Sequence, residues 1–192
     1  GVSIEPFEVC RMDPDWSLAR DHGLPQLQAR RSKRVLLLGT GSLGSFAALL
    51  LARAGIGHMT LVDSQLMEAE NTSRHVLGLQ HVGHAKAPEL ADELKRAVPD
   101  IDVVGVRSDA GTWIGKNATP GAFDLVFDCT AERGVRNAVT LLRDTYFGKT
   151  PVVHAWLEPL CSAGHVVLSQ PEVPWPIEDP ANDLVNASDL SI

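Results

Sequence analysis

A glycine-rich loop is the first feature of this sequence whose residue types and spacing could do chemistry. Residues 39–44 read G-T-G-S-L-G and lie between an apolar run and an amphipathic stretch. Glycines let a backbone turn tightly and approach phosphates, and the first amides of a helix attract an anion. Although such a turn can occur without a ligand, this context predicts a nucleotide phosphate loop. The expected contacts come from Gly39, Gly41, Ser42, Leu43 and Gly44.

Asp63 lies where an acid that binds ribose is expected. It ends the next apolar run, at about the offset at which a carboxylate accepts hydrogen bonds from ribose hydroxyls. Nicotinamide and flavin enzymes use the same loop and acid, so these residues indicate a nucleotide without selecting a reaction. An NAD-dependent oxidoreductase and a nucleotide-binding scaffold without catalysis are therefore two alternatives at this point.

Three further motifs favour a chemistry other than hydride transfer. The chain reads N-T-S-R at residues 71–74, V-G-H-A-K-A at residues 82–87 and D-C-T at residues 128–130. With the glycine loop and Asp63, this ordered set resembles the ThiF/MoeB/HesA proteins and the adenylation domains of ubiquitin-activating enzymes. The resemblance implies an enzyme that uses ATP to adenylate the C-terminal glycine carboxylate of a ubiquitin-like or sulfur-carrier protein, releasing pyrophosphate.

The resemblance also implies roles for single residues. Arg74 and Lys86 would hold the phosphates, and Asn71 would orient the triphosphate or the ribose. Asp128 would hold Mg²⁺ at the C-terminal end of its strand, where ligands sit in open α/β sheets. Arg74, Lys86 and Asp128 are then the catalytic residues, because negative charge must be neutralised as pyrophosphate leaves. Taken singly, the same residues could be surface charges, a helix cap or an ion pair.

Partners are implied by the same resemblance. Relatives form twofold homodimers in which an arginine from the N-terminal segment reaches the neighbour's ATP. Arg20 is the first candidate for that residue, and Arg11 is the second. We expect the carrier protein to dock its tail near residues 156–169. Residues 74–75 and 156–159 are similar to those of bacterial members found in ubiquitin-like conjugation systems.

The three cysteines do not predict a metal centre. Many family members carry paired C-x-x-C motifs that bind structural zinc, but Cys10, Cys129 and Cys161 lie far apart, so no zinc is expected. Cys161 is a better candidate for a reactive thiolate than Cys129, which fits a small buried residue. The thioester cysteine of conjugating relatives usually lies further along the chain, and we expect it outside this sequence.

Three histidines could bind a metal by residue type alone. His75, His81 and His84 lie in the polar stretch after Asp63, and their neighbours in sequence offer no matched set of ligands. We therefore interpret them as polar loop residues. Mg²⁺ is the metal that the family resemblance implies.

The fold that positions these motifs is predicted by hydrophobic periodicity. From residue 34 onward, short apolar runs alternate with amphipathic stretches, which is typical of strands joined by crossover helices. We predict an α/β Rossmann-like, doubly wound, mainly parallel sheet with an antiparallel edge. The predicted strands are 35–38, 59–62, 103–106, 125–127, 152–155 and an edge strand at 166–168, and the predicted helices are 43–54, 87–97 and 135–142.

Length, charge and composition restrict the remaining choices. We predict an N-terminal segment at 1–33, the ATP-binding adenylation domain at 34–170, and at 171–192 a proline-rich tail or crossover loop leading to a missing portion. Lysine and arginine total 17 against 24 acidic residues, and the net charge of -7 disfavours nucleic acid as a ligand. No apolar run approaches the roughly 20 residues that a membrane span requires. We therefore expect a cytoplasmic protein.

Overall fold

A six-stranded sheet forms the centre of the computed structural model, which describes residues 10–19, 23–158 and 161–170. The strands are β1 (Arg34–Leu38), β2 (His58–Asp63), β3 (Asp102–Arg107), β4 (Leu125–Asp128), β5 (Val152–Leu157) and β6 (Gly164–Ser169). Their order is β3-β2-β1-β4-β5-β6, and every pairing is parallel except that of β5 with β6. This arrangement confirms the predicted fold class.

Helices cover both faces of this sheet. They are α1 (Pro14–Ser17), α2 (Leu24–Arg31), α3 (Ser42–Arg53), α4 (Lys86–Ala97), α5 (Ala110–Asn117), α6 (Arg133–Leu141) and α7 (Arg143–Tyr146), with 3₁₀ turns at Ala69–Arg74 and Leu79–His81. Helices α3, α4 and α6 are confirmed predictions. Within the described ranges, none of the helices has the length and apolar character that crossing a membrane requires.

Helix α5 is not predicted from the sequence, because its two glycines weaken the helical pattern. Two other contributions stabilise it. Asp109 caps its amino end, where Oδ1 accepts the backbone N–H of Thr112 at 2.8 Å. In addition, Trp113 and Ile114 bury their side chains against the sheet. Tertiary packing therefore overrides the low intrinsic propensity of this segment.

Strand β1 separates two apolar cores. Val35 and Leu37 belong to the cluster that includes α3 and α4, whereas Leu36 and Leu38 belong to the cluster that includes α5 and α6. All four side chains are buried, which explains why this run is continuously apolar instead of alternating. Fully burying such a side chain contributes about 1.5–3 kcal/mol. The four positions therefore hold β1 firmly at the centre of the sheet.

The chain changes direction across the sheet after β3. It adds β2 and β3 on one side of β1, and then returns to add β4 and β5 on the other side. The carboxyl ends of β1 and β4 consequently diverge towards helices on opposite faces. In open α/β sheets, this switch point is where ligands bind.

Two glycines allow the loop after β1 to pack against the end of β4. A Cβ atom on Gly44 would lie 1.9 Å from the carbonyl oxygen of Gly39. A Cβ atom on Gly39 would lie 2.8 Å from the backbone of Cys129, and the positive φ of 82° at Gly39 also favours glycine. At Gly41, by contrast, no heavy atom of the described residues lies within 4 Å of a Cβ. Gly41 therefore faces open space.

Gly44→Ala should lower the free energy of unfolding by about 1–3 kcal/mol or more, because the added methyl group must displace backbone atoms. Chemical denaturation followed by circular dichroism measures the loss. Gly41→Ala is the matched control, for which we expect a smaller loss of about 0.5–1 kcal/mol, because alanine is a poorer N-cap residue than glycine. Equal losses of stability in the two variants would contradict the packing described for this loop.

Candidate functional site

An open cleft lies at the carboxyl ends of β1, β2 and β4. It contains about 460 Å³ of empty space, counting its open mouth. The glycine loop forms one wall, and residues that follow β2, β3 and β4 form the others. These walls include Gly41, Asp63, Gln65, Asp109, Thr130 and Glu132.

The amino end of α3 presents backbone amides to this cleft. Its N-cap residue is Gly41, which has no side chain to cap the helix. The first N–H groups of a helix have no intrahelical acceptor, and they carry partial positive charge. The amides of Ser42, Leu43 and Gly44 can therefore bind an anion placed in the open space beside Gly41.

Thr40 ties the glycine loop to two other segments. It is fully buried, and its backbone N–H and hydroxyl both donate to Asp63 Oδ2, at 2.7 and 3.1 Å. Its carbonyl oxygen lies 2.6 Å from His75 Nε2. All three polar groups of Thr40 are thus satisfied within the protein. The path of the loop is consequently set by the last residue of β2, Asp63, and by His75 of the following crossover.

Asp63 keeps capacity for a further hydrogen bond. An ionised carboxylate offers about four lone-pair positions. Thr40 fills two of them on Oδ2, and the backbone N–H of Gln65 donates to Oδ1 at 2.8 Å. Asp63 lines the cleft, where the remaining accepting position on Oδ1 can take a hydroxyl such as that of a ribose.

His75 is held as a neutral imidazole. The backbone N–H of Leu77 donates to Nδ1 at 3.0 Å, so the ring proton is on Nε2 and is donated to the Thr40 carbonyl. Burial lowers the pKa of His75 below its ordinary value, and the nearby positive charge of Lys86 lowers it further. The Thr40 bond and Asp63 act in the opposite direction but are outweighed. The imidazole therefore supports the loop without carrying charge.

Lys86 places a buried positive charge behind the cleft. Lys86 is only 4 % exposed, and its Nζ donates to Gln65 Oε1 at 2.7 Å. Within the described ranges, no carboxylate lies within ion-pair distance of Nζ. Burying an unpaired ammonium is costly, and an ammonium has three N–H donors, of which Gln65 takes one. Because Gln65 lines the cleft, an anion bound there would compensate this charge.

Asp128 ends β4 as predicted and is fixed by three hydrogen bonds. Oδ1 accepts the backbone N–H and the hydroxyl of Thr130, at 3.0 and 2.7 Å. Oδ2 lies 2.9 Å from His154 Nδ1, which donates to it when the carboxyl group is ionised. Both side chains are more than nine-tenths buried. Asp128 does not itself line the cleft, but it is hydrogen-bonded to Thr130, which does, as does Glu132.

Asn71 and Arg74 lie in the 3₁₀ turn Ala69–Arg74. Asn71 Oδ1 accepts the backbone N–H of Glu68 at 3.1 Å in a reciprocal capping box, so Asn71 does cap this turn. Arg74 is exposed, and its Nη1 lies 3.4 Å from the carbonyl oxygen of Glu70. Neither residue belongs to the cleft walls in this arrangement.

Other predicted positions lie outside the described residues or outside the walls of the cleft. Arg20 and residues 159–160 of the expected docking region fall between the described ranges, and the segment 171–192 follows the last of them. Arg11, the second candidate, pairs with Asp13 at 2.7 Å. The predicted dimer contact through Arg20 therefore stays a prediction.

Several residues that line or support the cleft are not assigned to it by sequence reasoning. Asp109 follows β3 at the ligand edge, and the same strand-end argument that selects Asp63 would have selected it. Its carboxylate has a lowered pKa, because it accepts the backbone N–H of Thr112. Gln65 and His75 are not marked by a position at the end of a predicted strand. Their places in the structure depend on how the crossover after β2 folds back.

Cys129, at the cleft, and Cys161 differ in exposure. Cys129 is buried behind the glycine loop, and burial raises the pKa of its thiol to about 12, with the adjacent Asp128 charge adding to the effect. Cys161 is exposed. Since the thiolate is the reactive form, Cys129 is inert at neutral pH.

Comparison with known proteins decides the family. The profile of the ThiF family matches residues 15–171, which include the glycine loop, Asp63, Lys86 and Asp128. This chain belongs to the ThiF family. The match covers well over half of the sequence and includes every element of the sheet.

Named relatives of this ThiF-family chain include two enzymes. It is 35% identical over 129 residues to the ATP-dependent ubiquitin transferase-like protein Cap2 of Enterobacter hormaechei, covering 62% of this chain and 21% of that protein. It is 34% identical over 130 residues to the molybdopterin-synthase adenylyltransferase of Escherichia coli, covering 66% of this chain and 50% of that enzyme. The ThiF-family chain thus spans between about a fifth and a half of these two relatives.

A solved structure supports the same assignment. The tRNA N6-threonylcarbamoyladenosine dehydratase TcdA of Escherichia coli, in complex with AMP, superposes on the ThiF-family chain with a TM-score of 0.61 at 25% identity. The alignment covers 76% of this chain and 61% of TcdA. The Rossmann-like sheet of the ThiF-family chain is therefore shared with a protein that holds a nucleotide.

The neutral state of His75 makes the stability of this domain depend on pH. Because the pKa of His75 is lowered in the folded protein, its contribution is fully present above about pH 6.5, the ordinary histidine value. It should be lost as the pH falls towards the lowered pKa, and His75→Gln should flatten that part of the profile. Denaturation at a series of pH values measures this, with His58→Gln as an exposed control. An NMR titration that places the pKa of His75 at or above 6.5 would refute the assignment.

Cys129 should resist alkylation in the folded domain. At pH 7.5 we expect iodoacetamide to modify the exposed Cys10 and Cys161 and to leave Cys129 unmodified until denaturant is added. Mass mapping of tryptic peptides reads each site separately. Modification of native Cys129 at a rate similar to that of Cys161 would show that the thiol is neither buried nor protonated as described.

Proposed function

We propose that this chain is an ATP-dependent adenylating domain that activates the C-terminal glycine carboxylate of a ubiquitin-like or sulfur-carrier protein, releasing pyrophosphate. The observation that carries the proposal is the buried Lys86, whose only compensating partner among the described residues is the amide oxygen of Gln65 at the cleft. A triphosphate on the α3 amides would supply the missing negative charge. Family membership favours adenylation over the NAD-dependent alternative.

The reaction needs positioning and charge neutralisation, and the cleft offers both. The carrier's carboxylate oxygen attacks the α-phosphorus, and the bond from that phosphorus to the bridging oxygen of the departing pyrophosphate breaks. Two anions must therefore approach each other, and cations placed beforehand lower that barrier. We assign Lys86 and Arg74 to the phosphates, Asp63 to the ribose, and Asn71 to the triphosphate or ribose. Arg74 must swing from its present contact with Glu70 to take this role.

Asp128 fits a magnesium site in its ligand chemistry. Three hydrogen bonds leave about one of its four accepting positions available, which suits the single carboxylate contact that Mg²⁺ often makes alongside phosphate oxygens and water. When bound, Mg²⁺ would neutralise charge on the phosphates. Thr130 and His154 hold the carboxylate in one orientation for that contact.

The partners of the proposed reaction follow from the relatives and from the open edge of the sheet. The carrier's tail is proposed to dock near residues 156–169, where β5 and β6 pair and the side chains of Val166 and Leu168 are exposed. A twofold homodimer, with Arg20 reaching the neighbour's ATP, is part of the same proposal. Dependence on ATP favours a cytoplasmic location.

Exchange of labelled pyrophosphate into ATP tests the proposal directly. In the presence of a carrier protein ending in glycine, Lys86→Met, Arg74→Ala and Asp128→Asn should each lower the exchange rate by about 10²- to 10³-fold, because each removes charge from the phosphate or metal contact. The carrier is chosen from small proteins encoded near this one and ending in Gly-Gly.

Arg53→Ala is the matched control for Arg74→Ala, since Arg53 is an exposed arginine at the opposite end of α3 from the glycine loop. We expect exchange by this variant to equal that of the wild type. An active wild type whose Arg74→Ala and Asp128→Asn variants exchange equally fast would rule out the assigned site. Saturable binding of NADH without binding of ATP would instead favour the oxidoreductase.

A further inference from the structure

Two histidines and a glutamate converge at the start of α4, and none of them belongs to the walls of the cleft. His81 ends the 3₁₀ turn Leu79–His81, His84 lies in the loop that follows, and Glu89 lies in the first turn of the helix. His81 Nδ1 lies 2.8 Å from Glu89 Oε2, and His84 Nδ1 lies 3.4 Å from Glu89 Oε1. One ligand atom from each of the three lies within 4.8 Å of the others, and among the described residues no other such group occurs.

The separations between these atoms suit a tetrahedral metal. Zinc is bound by histidine nitrogen and carboxylate oxygen at about 2.0–2.2 Å, which places neighbouring ligand atoms roughly 3.3–3.6 Å apart. The pair formed by His84 and Glu89 is already at that separation, and the pair formed by His81 and Glu89 would open by well under an ångström. Two imidazoles and one carboxylate select zinc over magnesium or calcium, which prefer oxygen ligands.

His81 also has a carboxylate near its second ring nitrogen, as metal-binding histidines usually do. Its side chain is 6 % exposed, and its Nε2 lies 3.2 Å from Glu93 Oε1, one helical turn beyond Glu89. Within the described part of the chain this contact is not aligned as a regular hydrogen bond, so a buried ring nitrogen lacks a satisfied partner. A metal on Nδ1 would fix the ring proton on Nε2, where Glu93 could accept it.

We propose that His81, His84 and Glu89 form a binding site for one zinc ion, with Glu93 as the carboxylate that orients His81. The fourth ligand would be water, since the side chain of His84 is exposed. The site lies on the loop that pairs with residues 65–67, where the backbone N–H of Met67 donates to the carbonyl of His84. A metal there would tether this loop to α4, whose first residue is Lys86.

This proposal departs from the sequence-based expectation that no zinc is bound. That expectation rests on the missing cysteine pairs, and the spacing H-x-x-H-x-x-x-x-E has no partner motif that would mark it. Only the folded backbone shows that the loop turns at Gly83, with a φ of 87°, and so brings both histidines to the first turn of α4.

Metal titration of the full chain, expressed without a polyhistidine tag and stripped with chelator, tests the site. Co²⁺ should bind with one equivalent per chain and give the visible absorption of a four- or five-coordinate centre. Zn²⁺ should displace it and raise the midpoint of thermal unfolding. His84→Ala and Glu89→Gln should each weaken Zn²⁺ binding by well over about tenfold, and Glu93→Gln by about tenfold.

His58→Ala is the control, because His58 is an exposed histidine that faces a carboxylate, Asp102 at 3.1 Å, without a second histidine. It should bind Zn²⁺ as the wild type does. The variants at His84 and Glu89 alter surface-accessible side chains, so circular dichroism spectra should match that of the wild type. No stoichiometric binding by the wild type, or equal affinity in the His84→Ala and His58→Ala variants, would overturn the proposal.

Discussion

Thr40 is the residue on which the geometry of the cleft depends. Its amide and hydroxyl donate hydrogen bonds to Asp63 at the end of β2, and its carbonyl oxygen accepts one from the ring N–H of His75, in the crossover that follows. The loop after β1 is therefore attached to its neighbours by side chains, while Gly39 and Gly44 let its backbone lie against β4. A phosphate loop binds best when its amides already point to the position of the anion. The hydrogen bonds of Thr40 preorganise the loop in this way.

The electrostatics of the site are set by positive charge that has no negative partner in the described part of the protein. Among the residues that the structure describes, no side chain caps the α3 amides, and Lys86 is buried beside an amide oxygen instead of a carboxylate. Asp128, by contrast, accepts three hydrogen bonds from Thr130 and His154, which leave about one accepting position available. Uncompensated positive charge therefore lies near the glycine loop, and the Asp128 carboxylate has a fixed orientation. The positive charge favours a bound triphosphate over an uncharged ligand.

The sequence predicts the sheet well, because inner parallel strands such as β1 are buried on both faces and read as uninterrupted apolar runs. It also predicts Asp63 and Asp128, since residues that end parallel strands must lie at one edge. It does not predict Gln65 or His75, whose positions depend on a crossover of 3₁₀ turns with no regular period. Helix α5 is missed for a related reason, because burial of Trp113 outweighs two unfavourable glycines. Long-range packing therefore determines the residues that sequence periodicity cannot reveal.

A crystal structure of the full chain with Mg²⁺ and a non-hydrolysable ATP analogue tests the central claim most directly. We expect the phosphates within hydrogen-bond distance of the Ser42 and Leu43 amides, the ribose on Asp63 Oδ1, and the Lys86 ammonium turned towards the phosphate oxygens. A nucleotide bound elsewhere, with Lys86 still directed only at Gln65, would contradict the claim that this buried charge is kept for a triphosphate.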